Sequence, residues 1–263
     1  MILTIEIGNS TITLGGVEGK DIRFECRINT DRVKTSDTYC IDLKTLFEIY
    51  GVELDAIEGV IISSVVPQVL NSVRTAIRKL LGKEPLVVGP GLKTGLNIRL
   101  ENPDQMGAGL VAADVAALRE HQPPLIIIDM GTATSISVLD QTGAHLGGCL
   151  CPGMKISLEA LTAKTSLLPG IHLDHPGKVL GRNTADAMRS GIMYGTAAML
   201  DGMIDRFREE LGCEFTIIAT GGLAKRVVPL CRHEIIYDHH LVAKGLAALY
   251  RENVTGSAER TGR

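Results

Sequence analysis

The chain has 263 residues, enough at about 150 residues per domain for one large or two modest domains, each with its own core. Hydrophobic residues make up 45%, charged residues 22% and the formal net charge is -3, which excludes a disordered chain, a polybasic nucleic-acid arm and a membrane-surface helix. Aromatic residues at 3% with no tryptophan exclude a base-stacking platform, so no nucleic-acid partner is expected.

The N-terminal segment from Met1 to Glu6 lacks the basic stretch and cleavage site of a signal peptide, and no uncharged apolar run reaches the roughly 18 residues that span a bilayer. A cytoplasmic protein with no membrane partner is expected. The six cysteines are too sparse for a disulfide framework and read as reduced thiols. Cys149 and Cys151 read as small residues beside a glycine-rich turn, without zinc-site spacing; His172, Asp174 and His175 read as an exposed loop and not a metal site.

In chain order, residues 3–15 (LTIEIGNSTITLG) predict a strand, a tight turn and a returning strand, with Glu6, Gly8, Asn9 and Ser10 at the hairpin tip. Residues 59–67 (GVIISSVVP) form a short β-branched run ending in small polar residues, and apolar spacing of three and four predicts helices over 72–81 and 109–119. The first pattern then repeats in residues 126–138 (IIIDMGTATSISV), whose tip carries Asp129, Gly131, Thr132, Ala133 and Thr134. A long helix follows over 184–211, then a second buried strand over 215–222 ending in Thr220-Gly221-Gly222.

Strand, hairpin, helix, strand and helix thus occur twice, which implies two α/β domains sharing a cleft, 1–120 and 121–252, divided near His121-Gln-Pro-Pro124. Residues 253–263 lack periodicity and are expected to form a frayed tail.

An acid and a glycine at a hairpin tip suit phosphate chemistry. Glycine lets backbone amides approach a phosphate closely, the Asn9, Ser10, Thr132 and Thr134 side chains donate hydrogen bonds, and the carboxylates of Glu6 and Asp129 hold a hydrated cation. One such tip is ordinary turn chemistry, whereas two in register call for a shared ligand. The Gly221-Gly222 turn suits an adenosine or ribose packed on backbone.

These residues resemble the acetate and sugar kinase, Hsp70 and actin superfamily, and in finer pattern the type III pantothenate kinases. The matching stretches are Ser63-Ser64-Val-Val-Pro67, Thr94-Gly95-Leu96, Asn102-Pro103, Gly107-Ala108, Asp129 through Thr134, Gly147-Gly148 through Pro152-Gly153, Thr162-Ala163, Leu168-Pro169, Gly181-Arg-Asn-Thr184 and Thr220-Gly221-Gly222. They run in family order over nearly the whole chain.

The resemblance implies two ribonuclease-H-like domains with an interdomain cleft, and an ATP-dependent kinase that converts pantothenate to 4'-phosphopantothenate in coenzyme A synthesis. It further implies Mg2+, a monovalent cation (K+ or NH4+) at Asp129, ATP at Thr132 and a homodimer with composite sites. The small residues Gly191, Gly195, Ala197 and Ala198 on the long helix suit that dimer interface.

The chain departs from the family at the substrate side. The first tip carries Glu6 where the resemblance implies aspartate, and Ser10 where it implies threonine. The family's Gly-Ala-Asp-Arg stretch reads Gly107-Ala108-Gly109-Leu110, so the expected catalytic aspartate is absent and the substrate-binding arginine is a leucine; a tyrosine before Asn-Pro is Leu100. A glycine cannot act as a base, and general-base catalysis is worth about 10²–10⁴-fold.

Asp104 is the candidate substitute, because Asp114, five residues past Gly109, is rotated about 140° around a helix. Thr184 matches a substrate-contacting threonine and also suits a helix N-cap. Three readings remain open: a type III pantothenate kinase impaired as a lone chain, a non-catalytic regulatory or hetero-oligomeric partner of a competent paralogue, and a kinase whose apolar acceptor pocket at Leu100 and Leu110 takes a neutral alcohol.

Overall fold

The computed structural model describes residues 1–173 and 177–258, so Asp174 and His175 of the expected histidine-rich loop lie outside the described residues. The chain groups into two units, one of residues 1–96, 101–116 and those from His240 onward, the other of 97–100 and 117–239.

In the first unit β1 (Ile2–Ile7), β2 (Thr11–Glu18) and β3 (Asp21–Asn29) form an antiparallel meander; β4 (Gly59–Ser64) joins β1 in parallel and β5 (Leu86–Val87) joins β4, giving the order β3-β2-β1-β4-β5. Strand periodicity of two divides the faces of β1. Leu3, Ile5 and Ile7 enter a core with Tyr39, Leu43 and Phe47 of α1 (Ser36–Ile49) and Val69, Val73 and Ile77 of α2 (Pro67–Leu81).

Thr4 and Glu6 lie on the other face, the one that α7 (Leu241–Ala258) covers. There a Cβ on Gly15 would meet Thr4 Oγ1 and Ala243, and one on Gly59 would collide with the Tyr250 ring. α3 (Ala108–Glu120) begins in this unit, and its Ala112 backbone meets Gly245 of α7 so closely that a side chain at 245 has no room.

The second unit repeats the plan. β6 (Leu125–Met130), β7 (Ala133–Leu139) and β8 (His145–Pro152) are an antiparallel meander, with β9 (Thr216–Thr220) parallel to β6 and β10 (Ile236–Tyr237) outermost. The order β10-β9-β6-β7-β8 is the first sheet's order again. Ile126, Ile128, Met130, Ile136 and Val138 pack with Met193, Ala197, Leu200 and Ile204 of α5 (Thr184–Leu211). α4 (Met154–Ala163) follows β8, and the single turn α6 (Ala224–Val227) follows β9.

The structure corrects several expectations. Asn183, not Thr184, caps α5: its extended backbone lets Oδ1 accept the Asp186 amide at 2.9 Å, and Thr184 is the first helical residue. The helix from 241 returns to the first unit, although by chain order it was placed with the second. Of residues 253–263, expected to fray, 253–258 continue α7, where the Asn253 side chain accepts from the Lys93 amide at 3.0 Å and donates to the Lys93 carbonyl at 2.8 Å, and 259–263 lie outside the described residues. Among the described residues no helix is long and apolar enough to cross a membrane.

Candidate active site

Each sheet carries an acid one residue before the end of its central strand, flanked in register by a hydroxyl on either side. In the first sheet Thr13 of β2 and Ser63 of β4 lie opposite Glu6. In the second, Ser135 of β7 and Thr220 of β9 lie opposite Asp129. Paired residues share a face, so both rows lie on the face away from the aliphatic cores just described. Ser63 and Thr220 were legible in the sequence as strand ends, but their alignment with the acids is a property of the parallel pairing.

The first tip folds back at Gly8, whose amide donates to the Thr11 carbonyl at 2.9 Å. The segment just after β3 pins it from the side: Thr30 Oγ1 donates to the Gly8 carbonyl at 2.7 Å, the Thr30 amide donates to the Ser10 carbonyl at 3.0 Å, and Arg32 donates to Asn9 Oδ1 at 3.3 Å. Asn9 and Ser10 themselves are exposed.

The second tip is walled by backbone. A Cβ on Gly153, at the start of α4, would lie 2.8 Å from the Gly131 carbonyl, and one on Gly221 would lie 2.6 Å from the Met130 carbonyl. Gly221 also has φ +98°, so only glycine fits there without strain. Gly131 and Ala133 are exposed at this tip with Thr132 half-buried, and Gly222 is exposed after β9. Thr134 differs from its expected place at the tip: it is 1% exposed and paired with Met130 on the core face, opposite Asp129.

Asp129 is half-buried among these walls, and desolvation pushes its carboxyl up to about 6. A carboxylate held mostly out of water beside hydroxyls is a hard-oxygen donor set, and a cation there offsets the cost of its charge. The residues present therefore fit a bound cation.

The start of α3 is where the first unit departs most from the sequence expectation. Gly107, Ala108, Gly109 and Leu110 are half-buried and carry no ionisable side chain. A Cβ at position 109 would lie 3.3 Å from Glu6 Oε1, so the Glu6 carboxylate occupies the space in front of that glycine. Of the two neighbouring acids, Asp104 is exposed on a single 3-10 turn (Pro103–Gln105) and Asp114 is buried within α3. Leu100 belongs to the second unit, where its Cδ2 lies 3.7 Å from the place of a Cβ on Gly147, and Thr184 is exposed at the first turn of α5.

The family model for type III pantothenate kinase matches residues 2–206. The chain is 42% identical to a type III pantothenate kinase of an Exiguobacterium species over 256 residues, covering 96% of this chain and 99% of the relative. It is 40% identical over 255 residues to one from Brevibacillus brevis, with the same coverage.

Among solved structures it is similar to the activator of 2-hydroxyisocaproyl-CoA dehydratase from Clostridium difficile, determined with ADPNP bound, with a TM-score of 0.58, 15% identity and coverage of 98% and 97% of the two chains. That likeness shows the fold, an α/β plan built on two mixed sheets. By the family match and by identity over nearly its full length, the chain belongs to the type III pantothenate kinase family.

Proposed function

We propose that this chain transfers the γ-phosphoryl group of ATP to pantothenate, giving 4'-phosphopantothenate, the step that commits pantothenate to coenzyme A. The observation that carries the reading is the duplicated acid-centred row, Thr13–Glu6–Ser63 and Ser135–Asp129–Thr220, each beside a glycine tip.

Phosphoryl transfer goes through a loose transition state, and its catalysis consists mostly of positioning and charge stabilisation. Each tip offers backbone amides to phosphate, with Asn9 and Ser10 as side-chain donors at the first and Thr132 at the second. Asp129 would hold a monovalent cation, and a divalent cation brought in with ATP would offset phosphate charge. The turn at Gly221 and Gly222 takes the nucleoside. The chain works as a homodimer through the exposed small residues Gly191, Gly195 and Ala198 of α5, whereas Ala197 turns into the core of its own unit.

Leu110, at the start of α3, favours a second acceptor reading, a neutral alcohol in place of the pantothenate carboxylate, because a buried carboxylate needs a partner that leucine does not offer. Product analysis by mass spectrometry separates the two. With ATP, Mg2+ and K+, the expected result is a pantothenate one phosphoryl group heavier, formed one-for-one with ADP. Phosphorylation of panthenol but not of pantothenate supports the neutral acceptor.

A further inference from the structure

We propose that Glu6 supplies the carboxylate that receives the acceptor hydroxyl at the start of α3, through the space that glycine at 109 leaves open. The inference rests on the phosphotransfer reading above and assigns the residue that makes it work without an acid at 109.

Three observations carry it. Glu6 Oε1 lies 3.3 Å from the position of a Cβ on Gly109, so the glutamate reaches across from β1 to the first turn of α3. An aspartate at 6, one methylene shorter, would leave that space to residue 109. Residues 107–110 offer no carboxylate of their own, and Asp104 is exposed on the preceding turn. Finally, Ser63, in register with Glu6 on the same face, is 1% exposed and its Oγ has no hydrogen-bond partner. A buried hydroxyl without a partner is costly and marks a place where a polar ligand completes the set. The long acid and the missing side chain are two halves of one change, with one carboxylate shared between positions 6 and 109.

In the reaction the acceptor O–H donates to Glu6. As the acceptor oxygen bonds to the γ-phosphorus, the bond from that phosphorus to the β–γ bridging oxygen breaks and ADP leaves. The hydroxyl proton passes to the Glu6 carboxylate, which returns it to water after product release.

The test is a double-mutant cycle in pantothenate-dependent ADP release, with folding of every variant checked by circular dichroism and thermal unfolding. Glu6→Gln keeps the shape and removes the charge, and is expected to lower kcat by about 10²–10³-fold with KM for ATP nearly unchanged. Gly109→Asp alone places two carboxylates in one space and is expected to lower kcat by about tenfold or more. Glu6→Asp alone withdraws the carboxylate and is expected to do the same. The pair Glu6→Asp with Gly109→Asp is expected to return within about threefold of the original, a coupling that independent sites do not show. The matched pair Glu6→Asp with Gly109→Asn, which has the bulk without the charge, is expected to stay low.

Gly109→Asp equal to or faster than the original, or a double variant whose loss is the product of the single losses, overturns the proposal while leaving the kinase reading intact. An original chain without pantothenate-dependent turnover overturns the kinase reading and this proposal with it.

Discussion

The two sheets share strand order and an acid-centred row, yet they close their tips differently. In the second sheet Asp129 is short, and the backbone at Gly153 and Gly221 comes close enough that a side chain at either position would collide. In the first sheet Glu6 is longer, the tip is pinned by Thr30 and Arg32 just after β3, and a glycine opens the start of α3 in front of the acid. Duplication has preserved where the acid stands. What varies together is the length of the acid and the size of what faces it.

That contrast breaks most sharply in activity. Glu6→Gln is expected to act on kcat by the factor given above, whereas Asp129→Asn is expected to act mainly on nucleotide and cation affinity, raising KM for ATP by about tenfold at fixed K+. Steady-state kinetics on both variants decide it; equal effects on the same parameter would erase the distinction between the rows.

Tip rigidity gives the next effect. Gly221→Ala must accept φ +98° and a contact with the Met130 backbone, and is expected to cost about 2–4 kcal/mol. A Cβ at Gly8 meets only the Thr11 carbonyl at 3.2 Å, so Gly8→Ala is expected to cost about 1 kcal/mol or less. Urea unfolding of the pair measures the difference.

The third effect has the opposite sign. Burial raises the Asp129 carboxyl from 3.8 to about 6 in the fold, so the folded state favours the protonated form. Its contribution is full below pH 3.8 and declines as pH rises through about 6. At pH 7 without added K+, Asp129→Asn is therefore expected to stabilise the chain by about 1–3 kcal/mol, with the gain shrinking toward pH 4 and on adding K+. Thermal unfolding across pH and K+ concentration reads this directly, and a destabilised variant at pH 7 would contradict it.

The smallest effect lies outside the site. Arg78, with Arg74 beside it, holds the exposed Glu84 carboxyl down at about 2. The stability it contributes is present above its ordinary 4.5 and is lost as pH falls from there through about 2. Glu84→Gln is expected to flatten that acid limb slightly and to leave stability at pH 7 nearly unchanged.

Much of this was legible in the sequence. The repeated strand, tip and return announced two sheets, and α5 runs over the 184–211 that apolar spacing marked out. The outer strands β5 and β10 are two residues long, too short for any period, and are placed only by their neighbours. Thr184 looked like the cap because threonine suits that place, but Asn183 has the extended backbone that lets a side chain reach back.

At the site, glutamate at 6 and glycine at 109 read as two separate departures because they stand more than a hundred residues apart. The sign of compensation was present in their sizes, one side chain longer and the other absent. Only the fold, which brings position 109 at the start of α3 up to the Glu6 carboxylate, makes them neighbours.

Phosphorylation of pantothenate without an acid at 109 is read out by ADP release from the purified original chain with ATP, Mg2+ and K+, with and without pantothenate, run beside Gly109→Asp. Pantothenate-dependent turnover by the original chain and slower turnover by the variant are expected. A silent original chain beside an active Gly109→Asp would contradict both.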